Sequence, residues 1–122
     1  MENGYVTERL EPVFEVEVQG ARGSESIEFV VDTGFEDEMS LPSFAIHRLR
    51  LPFVSRENAI LADGSLVEFD LYEAEIRWHG EWRIVSIHEA DTDPLIGMAL
   101  LNGSDLRITV RRGGAVQVTR LP

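Results

Sequence analysis

Alternating apolar and polar residues run through most of this chain and predict β-strands. Residues 14–18 read Phe-Glu-Val-Glu-Val, which is the period of two expected for a strand with one buried face. Residues 20–23, Gly-Ala-Arg-Gly, predict a tight turn. The return segment, residues 24–31, ends in the apolar run Phe-Val-Val. The first part of the chain is therefore predicted to be a β-hairpin.

The rest of the chain repeats this arrangement three times. Apolar runs flank Ala62–Ser65, whose Asp-Gly pair is a strong hairpin signal. Residues 71–78 and 82–87 alternate on either side of a His-Gly pair, and residues 106–110 and 116–121 on either side of Gly-Gly. We therefore predict an all-β protein.

Two stretches have a helical pattern instead. In Pro42–Leu49 the apolar residues recur at a looser spacing, and Pro42 in the first turn with Ser40 as the cap predicts a short helix. Residues 95–97, Leu-Ile-Gly, predict a short apolar strand that meets a glycine. A second helical stretch follows, and Asn102-Gly103 ends it.

The length of the chain favours one domain. Its 122 residues, 43% of them apolar, are enough for one hydrophobic core and too few for two domains. We assign residues 12–122 to this single domain. Residues 1–11 are polar and unpatterned, which predicts a loose arm or an edge segment completed by a partner chain.

Composition narrows the possible partners. The chain has 22 acidic residues against 11 basic ones, all arginine, and a formal net charge of −11. This excess disfavours nucleic acids and anionic membranes, because both are negatively charged. There is no cysteine, and His47, His79 and His88 match no usual zinc spacing, so we expect no metal and no other cofactor. No signal peptide or membrane-length apolar run is evident, which predicts a soluble, cytoplasmic protein.

The clearest candidate for chemistry is Asp-Thr-Gly at residues 32–34, directly after a buried strand. A carboxylate in this position needs a charged partner, a second acid or a wet cleft, since an unpaired buried charge is costly. A turn-forming aspartate at a strand end explains the tripeptide equally well, and short motifs often match by chance. The order of the other elements has to decide between these interpretations.

In the order of its elements, the chain resembles the single-lobe, retropepsin-like aspartic proteases. It resembles bacterial and cellular members more than viral ones. Their Asp-Thr-Gly loop matches residues 32–34, their flap hairpin matches the turn at 62–65, and their Leu-Ile-Gly junction with its helix matches 95–101. The resemblance covers residues 12–121. It implies an all-β, single-lobe closed barrel or sandwich with one or two short helices, active as a homodimer that cleaves peptides or proteins without a cofactor.

The resemblance also implies which residues form the site. Asp32 supplies half of a catalytic pair of carboxylates, Thr33 ties the two loops together across the dimer axis, and Gly34 lets a backbone amide approach the carboxylate. Because the chain has one such acid, the second carboxylate has to come from another copy. Substrate contacts are expected from Phe35, Glu36, Asp37, Ala62, Asp63, Gly64, Ser65, Ile96 and Gly97.

Two residues depart from the family pattern. Many relatives have Ser, Thr or Ala where this chain has Phe35, which cannot hydrogen-bond the carboxylate and reshapes or fills the adjoining pocket. Viral members have an arginine at the position of Met98, where it pairs with the loop acids. The acids of residues 36–38 are therefore expected to lack a cationic partner, and their repulsion predicts activity at mildly acidic pH.

Two other functions fit the same residues. One is a dimeric module that kept the fold and binds a peptide as an added strand without cleaving it. The other is a monomeric structural or regulatory β-barrel in which Asp32 only forms a turn. For a dimer, residues 116–121 and the N-terminal arm are the expected interface, because family members often build their dimer sheet from the chain termini.

Overall fold

The alternating segments form ten strands and two short helices. The computed structural model describes residues 2–122. The longer helix has seven residues, and within the described range no helix is long and apolar enough to cross a membrane. The elements are β1 (Glu2–Val6), β2 (Pro12–Gly20), β3 (Gly23–Val31), β4 (Met39–Leu41), α1 (Ser43–Leu49), β5 (Phe53–Ile60), β6 (Leu66–Trp78), β7 (Glu81–Glu89), β8 (Leu95–Ile96), α2 (Met98–Leu101), β9 (Ser104–Ile108) and β10 (Ala115–Arg120).

Six of the strands close into a barrel. They pair in the order β6, β7, β4, β8, β3 and β2, and β2 pairs again with β6 where Val18 lies opposite Ile76. Strand β5 extends the sheet from β6, while β1, β10 and β9 extend it from β2. The predicted all-β class and closed barrel are confirmed.

All four predicted hairpins are present. In the turn between β6 and β7, His79 and Gly80 have φ angles of 51° and 79°, as a two-residue hairpin turn requires. The hairpins β5–β6 and β6–β7 share one long strand, because β6 runs without interruption from residue 66 to 78. The sequence had predicted two separate strands there.

The apolar face of the strands fills the barrel. Five side chains from five different strands, those of Val18, Phe29, Ile76, Ile87 and Ile96, are 0% exposed. Burying a large aliphatic or aromatic side chain stabilises a fold by about 1.5–3 kcal/mol. This packing fixes β3 and β8 side by side, and β3 is the strand that precedes Asp32.

The first helix begins later than its predicted cap. Pro42 is the N-cap residue of α1, and no side chain caps the helix. Ser40 lies in β4, between β7 and β8, and is 2% exposed. The predicted cap is wrong because this three-residue strand is defined by pairing with two distant strands, which leaves no local sequence signal.

The N-terminal segment also differs from the predicted loose arm. Strand β1 pairs with β10 on one side and with β2 on the other. Gly4 permits this close approach, since a Cβ there would lie 2.8 Å from the carbonyl carbon of Val13. Pairing of the backbone, which composition does not reveal, therefore orders the segment. Because both edges of β1 are used, β9 has the free edge at this end of the sheet.

Candidate active site

Asp32 lies where β3 leaves the barrel. Strand β3 runs parallel to β8, and the pairing continues past the strand end because the Asp32 N–H donates to the carbonyl oxygen of Ile96 at 2.9 Å. The Gly34 N–H donates to Asp32 Oδ1, also at 2.9 Å. The backbone of Asp32 is thus fixed by β8 and its carboxylate is oriented by Gly34, while the residue stays half-buried.

Residues 32–38, called the Asp32 loop below, are held by the start of α2. The backbone N–H groups of residues 97–99 donate to the carbonyl oxygens of Glu38, Phe35 and Glu36, in that order, at 2.9, 2.8 and 3.1 Å. Each such bond contributes about 1 kcal/mol net. The loop is therefore tied to the barrel through its main chain.

The Leu-Ile-Gly junction positions this loop from the barrel side. The side chain of Ile96 is 0% exposed and lies in the core. At Gly97, a Cβ would lie 2.6 Å from the carbonyl oxygen of Phe35, so a larger residue would displace the loop. The contacts of both residues are with strands and the Asp32 loop, although the sequence had suggested substrate contacts for them.

Glu38 has a cationic partner. Its Oε2 accepts a hydrogen bond from Arg83 Nη2 at 2.8 Å, and its Oε1 accepts one from the Ser86 N–H at 2.9 Å. The prediction of an acidic cluster without such a partner is wrong, because Arg83 approaches from β7 and takes the role expected at the position of Met98. Repulsion within the cluster, on which the acidic pH optimum was predicted, is reduced accordingly.

The ring of His88 lies between the Asp32 loop and the β5–β6 hairpin. Its Nε2 is 2.9 Å from Asp37 Oδ2, and its side chain is 16% exposed. It stacks on Phe69 with ring centroids 4.1 Å apart and takes the edge of Phe35 at 5.5 Å. Burial lowers the pKa of His88, and the nearby Asp37 opposes this shift more weakly. The ring is therefore uncharged at neutral pH.

The tip of the β5–β6 hairpin is held by its own residues. The Leu61 N–H donates to the Ser65 carbonyl oxygen at 2.8 Å. Asp63 Oδ1 accepts hydrogen bonds from the N–H and the hydroxyl of Ser65, at 2.9 and 2.6 Å, and these bonds lower the pKa of Asp63. Gly64 supplies the φ of 85° that the turn requires. The tip is a self-contained turn.

A groove of about 860 Å³ separates the Asp32 loop from the β5–β6 hairpin. Residues 34–37 form one wall, and hairpin residues that include Glu57 and Phe69 form the other. Residues 32–33 adjoin the groove without lining it, and the tip residues 62–65 also lie outside its lining. A smaller cavity of about 400 Å³, beside β2, α1 and β6, contains none of the predicted site residues.

The groove is acidic. No arginine lines it. Glu57 is the cross-strand partner of Phe69 and shares its face of the hairpin. Glu68 also lines the groove, but it is one residue away from Phe69, so its side chain leaves the other face of the strand and its carboxylate lies 3.7 Å from Arg56. The carboxylate residues along the groove are Glu36, Asp37, Glu57, Glu68 and Glu89.

Most of the residues that line the groove were not among the predicted site residues, for example Glu57, Phe69 and His88. Each of these three occupies an ordinary position in an alternating strand. The alternation identifies which residues share a face, but barrel closure decides which face meets the Asp32 loop. Among residues 2–122, no three acidic or histidine side chains converge in a way that could hold a metal ion.

The fold is that of the retropepsin-like aspartic proteases. A retropepsin-like aspartic protease from Rickettsia conorii superimposes with a TM-score of 0.64 over 98% of this chain and 90% of its own, at 16% sequence identity. The EIAV protease, in complex with an inhibitor, superimposes with a TM-score of 0.52 over 71% of this chain and 81% of its own, at 20% identity. The predicted resemblance to the fold, closer to the bacterial member, is confirmed.

At the level of sequence, this chain matches no protein-family model and no curated protein. Identities of 16% and 20% establish the fold alone. The function therefore has to be argued from the residues of the site.

Proposed function

We propose that this protein is an aspartic endopeptidase that acts as a homodimer and cleaves extended peptides. A water between two Asp32 carboxylates would lose a proton to one of them, while the other donates a proton to the scissile carbonyl oxygen. The observation that carries the proposal is the position of Asp32. It is held by β8 and Gly34 beside the groove, in a fold shared with known aspartic proteases.

The dimer follows from the number of carboxylates. The chain has one Asp-Thr-Gly, and two acids that share a proton have to lie close together. A two-fold axis through the Asp32 loop supplies the second one. Thr33 is exposed in the single chain, so its hydroxyl is accessible to the loop of a second copy. Since β1 and β10 pair within one chain, an intersubunit sheet at that end would use the edge of β9.

The groove sets the substrate class. We assign the β5–β6 hairpin the role of a flap that closes over the peptide and excludes water. The apolar surface of Phe35 and Phe69 suits an apolar or aromatic side chain. The carboxylates around them favour arginine or lysine in neighbouring positions, because opposite charges attract across a partly desolvated groove.

The decisive test is Asp32→Asn. We expect this variant to lose cleavage of unfolded protein or a peptide library by about a thousandfold or more, because it removes the acid–base pair. Sedimentation should show the same dimer for the variant and the wild type, since Asn preserves the shape of the loop. Asp91→Asn, in an exposed segment outside the groove, serves as the control and should cleave normally. Equal activity in Asp32→Asn would refute the proposed chemistry.

A peptide-binding module that does not cleave is the second candidate, and Phe35 favours it. This side chain follows Gly34 directly and lines the groove beside the acid, where it takes up volume. In that case the wild type would bind peptides without cleaving them, and Asp32→Asn would bind them equally well. A strict monomer at micromolar concentration would exclude both the shared pair of acids and the dimeric module, and would favour Asp32 as a turn former.

A further inference from the structure

We propose, on the basis of the proteolytic function proposed above, that His88 is a positioning residue that holds the Asp32 loop and the β5–β6 hairpin in a fixed relation. It would do so through Asp37 on one side and Phe69 on the other. The width of the groove where a peptide lies would then depend on this one ring.

We call these contacts of His88 the clamp, and its first half, the contact with Asp37, is polar. His88 Nε2 lies 2.9 Å from Asp37 Oδ2. Asp37 belongs to the Asp32 loop, five residues after the acid itself. The carboxylate is 54% exposed, whereas the imidazole is 16% exposed, so this close contact brings a surface carboxylate against a nearly buried ring. A neutral imidazole makes this polar contact without burying a second charge.

The second half is apolar. The rings of His88 and Phe69 stack at 4.1 Å with an interplanar angle of 19°. Phe69 lies opposite Glu57 in the β5–β6 ladder, so the stack supports the hairpin at the point where it covers the groove. Phe35 meets the same imidazole edge-on at 5.5 Å. Aromatic contacts of this kind contribute beyond their buried area and fix the orientation of the rings.

Among residues 2–122, Asp37 is the charged group that acts on the pKa of His88. The backbone partners of His88 on β6 and β4 are Leu71 and Ser40, which carry no charge, and the remaining face is covered by Phe35 and Phe69. The two halves can therefore be removed separately by substitution of a single residue.

Two variants test the two halves of the clamp separately. His88→Phe keeps a ring of similar size between the two phenylalanines but loses the nitrogen that contacts Asp37. His88→Gln keeps an N–H close to the position of Nε2 but loses the stack. The readout is amide hydrogen exchange, because the N–H groups of residues 97–99 bind the Asp32 loop and those of residues 57 and 69 lie in the hairpin ladder.

We expect His88→Phe to speed exchange of the 97–99 amides about tenfold, as the loss of one close polar side-chain contact allows, and to leave the hairpin amides nearly unchanged. His88→Gln should speed exchange at residues 57 and 69 about fivefold, the effect of one lost aromatic contact. His47→Phe, on the exposed side of α1, is the matched control and should change neither set.

Unchanged exchange in both variants would overturn the proposal. So would equal acceleration throughout the molecule, including the β9–β10 ladder, because a merely structural histidine destabilises the whole fold. If His88→Phe does not fold, Asp37→Ala tests the same half from the exposed side and should also speed exchange of the 97–99 amides.

The kinetic readout separates this proposal from the one on which it rests. His88→Phe should raise KM for a fixed peptide about tenfold with kcat within about twofold, because His88 positions the groove and does not touch the reacting atoms. A wild type that cleaves nothing would count against the protease. The exchange pattern would still decide the clamp.

Discussion

The two walls of the groove are held in different ways. The Asp32 loop is tied to the barrel by backbone hydrogen bonds to residues 97–99 and to Ile96, and Gly97 admits no side chain between loop and barrel. The tip of the β5–β6 hairpin is held differently. The hydrogen bonds that the structure describes for residues 61–65 all join residues of the tip to each other. Ile60 and Leu66 beside the tip are 75% and 68% exposed.

This difference fits the role of a flap that is proposed above for the β5–β6 hairpin. Segments with few buried contacts open at low free-energy cost, whereas those joined to the core open only when much of the domain unfolds. The Asp32 loop belongs to the second kind and the hairpin tip to the first. The effects of substitutions in the two walls should therefore differ in kind as well as in size.

The largest effect is expected at the wall formed by the Asp32 loop. Gly97→Val would place a side chain where a Cβ already lies 2.6 Å from the Phe35 carbonyl oxygen. We expect it to lower the free energy of unfolding by about 3 kcal/mol, or the melting temperature by about 10 °C, and to abolish cleavage because the loop is displaced.

Met98→Ala is the control for this prediction. Met98 is 49% exposed, and its backbone N–H, which binds the Phe35 carbonyl oxygen, is kept. The melting temperature of this variant should stay close to that of the wild type. If Gly97→Val melted at the same temperature, the Asp32 loop could not lie against β8 as described.

The wall formed by the Asp32 loop is also the part that the sequence predicted best. Asp-Thr-Gly and Leu-Ile-Gly are local motifs, and the hairpins follow from turn pairs such as His79-Gly80, whose positive φ angles are a property of a few residues. Strand β4 was missed because its three residues gain their order from two distant partners. The bond between Arg83 and Glu38 spans 45 residues, a distance at which the pattern of a single sequence carries no information.

The wall formed by the β5–β6 hairpin should show a difference between its two faces. Glu57→Gln removes a carboxylate from the groove side, whereas Glu68→Gln removes one that lies near Arg56 on the other side. For a peptide with arginine beside the cleaved bond, we expect Glu57→Gln to raise KM about fivefold, as one charge at close range allows.

The comparison peptide has glutamine in place of that arginine. With it, Glu57→Gln and the wild type should have the same KM, and Glu68→Gln should match the wild type with both peptides. High salt should shrink the difference, because the groove is open to solvent. An equal effect of the two substitutions would mean that net charge, and not the face of the hairpin, governs binding.

The smallest expected effect concerns the residue that joins the two walls. Burial holds the pKa of His88 below its ordinary value of about 6.5, so the unfolded chain binds a proton at a higher pH than the folded one. The stability that the neutral ring contributes is complete above about pH 6.5 and is lost as the pH falls through the folded-state pKa. Urea unfolding between pH 7.5 and 5 should therefore show a smaller loss of stability for His88→Gln than for the wild type, and parallel curves would contradict this.

Asp37→Ala removes the opposing influence, so NMR titration should find the pKa of His88 lower still. Its loss of stability would still begin at about pH 6.5 but would continue to a lower pH and become larger, which ties the titration of the ring to the loop that carries Asp32.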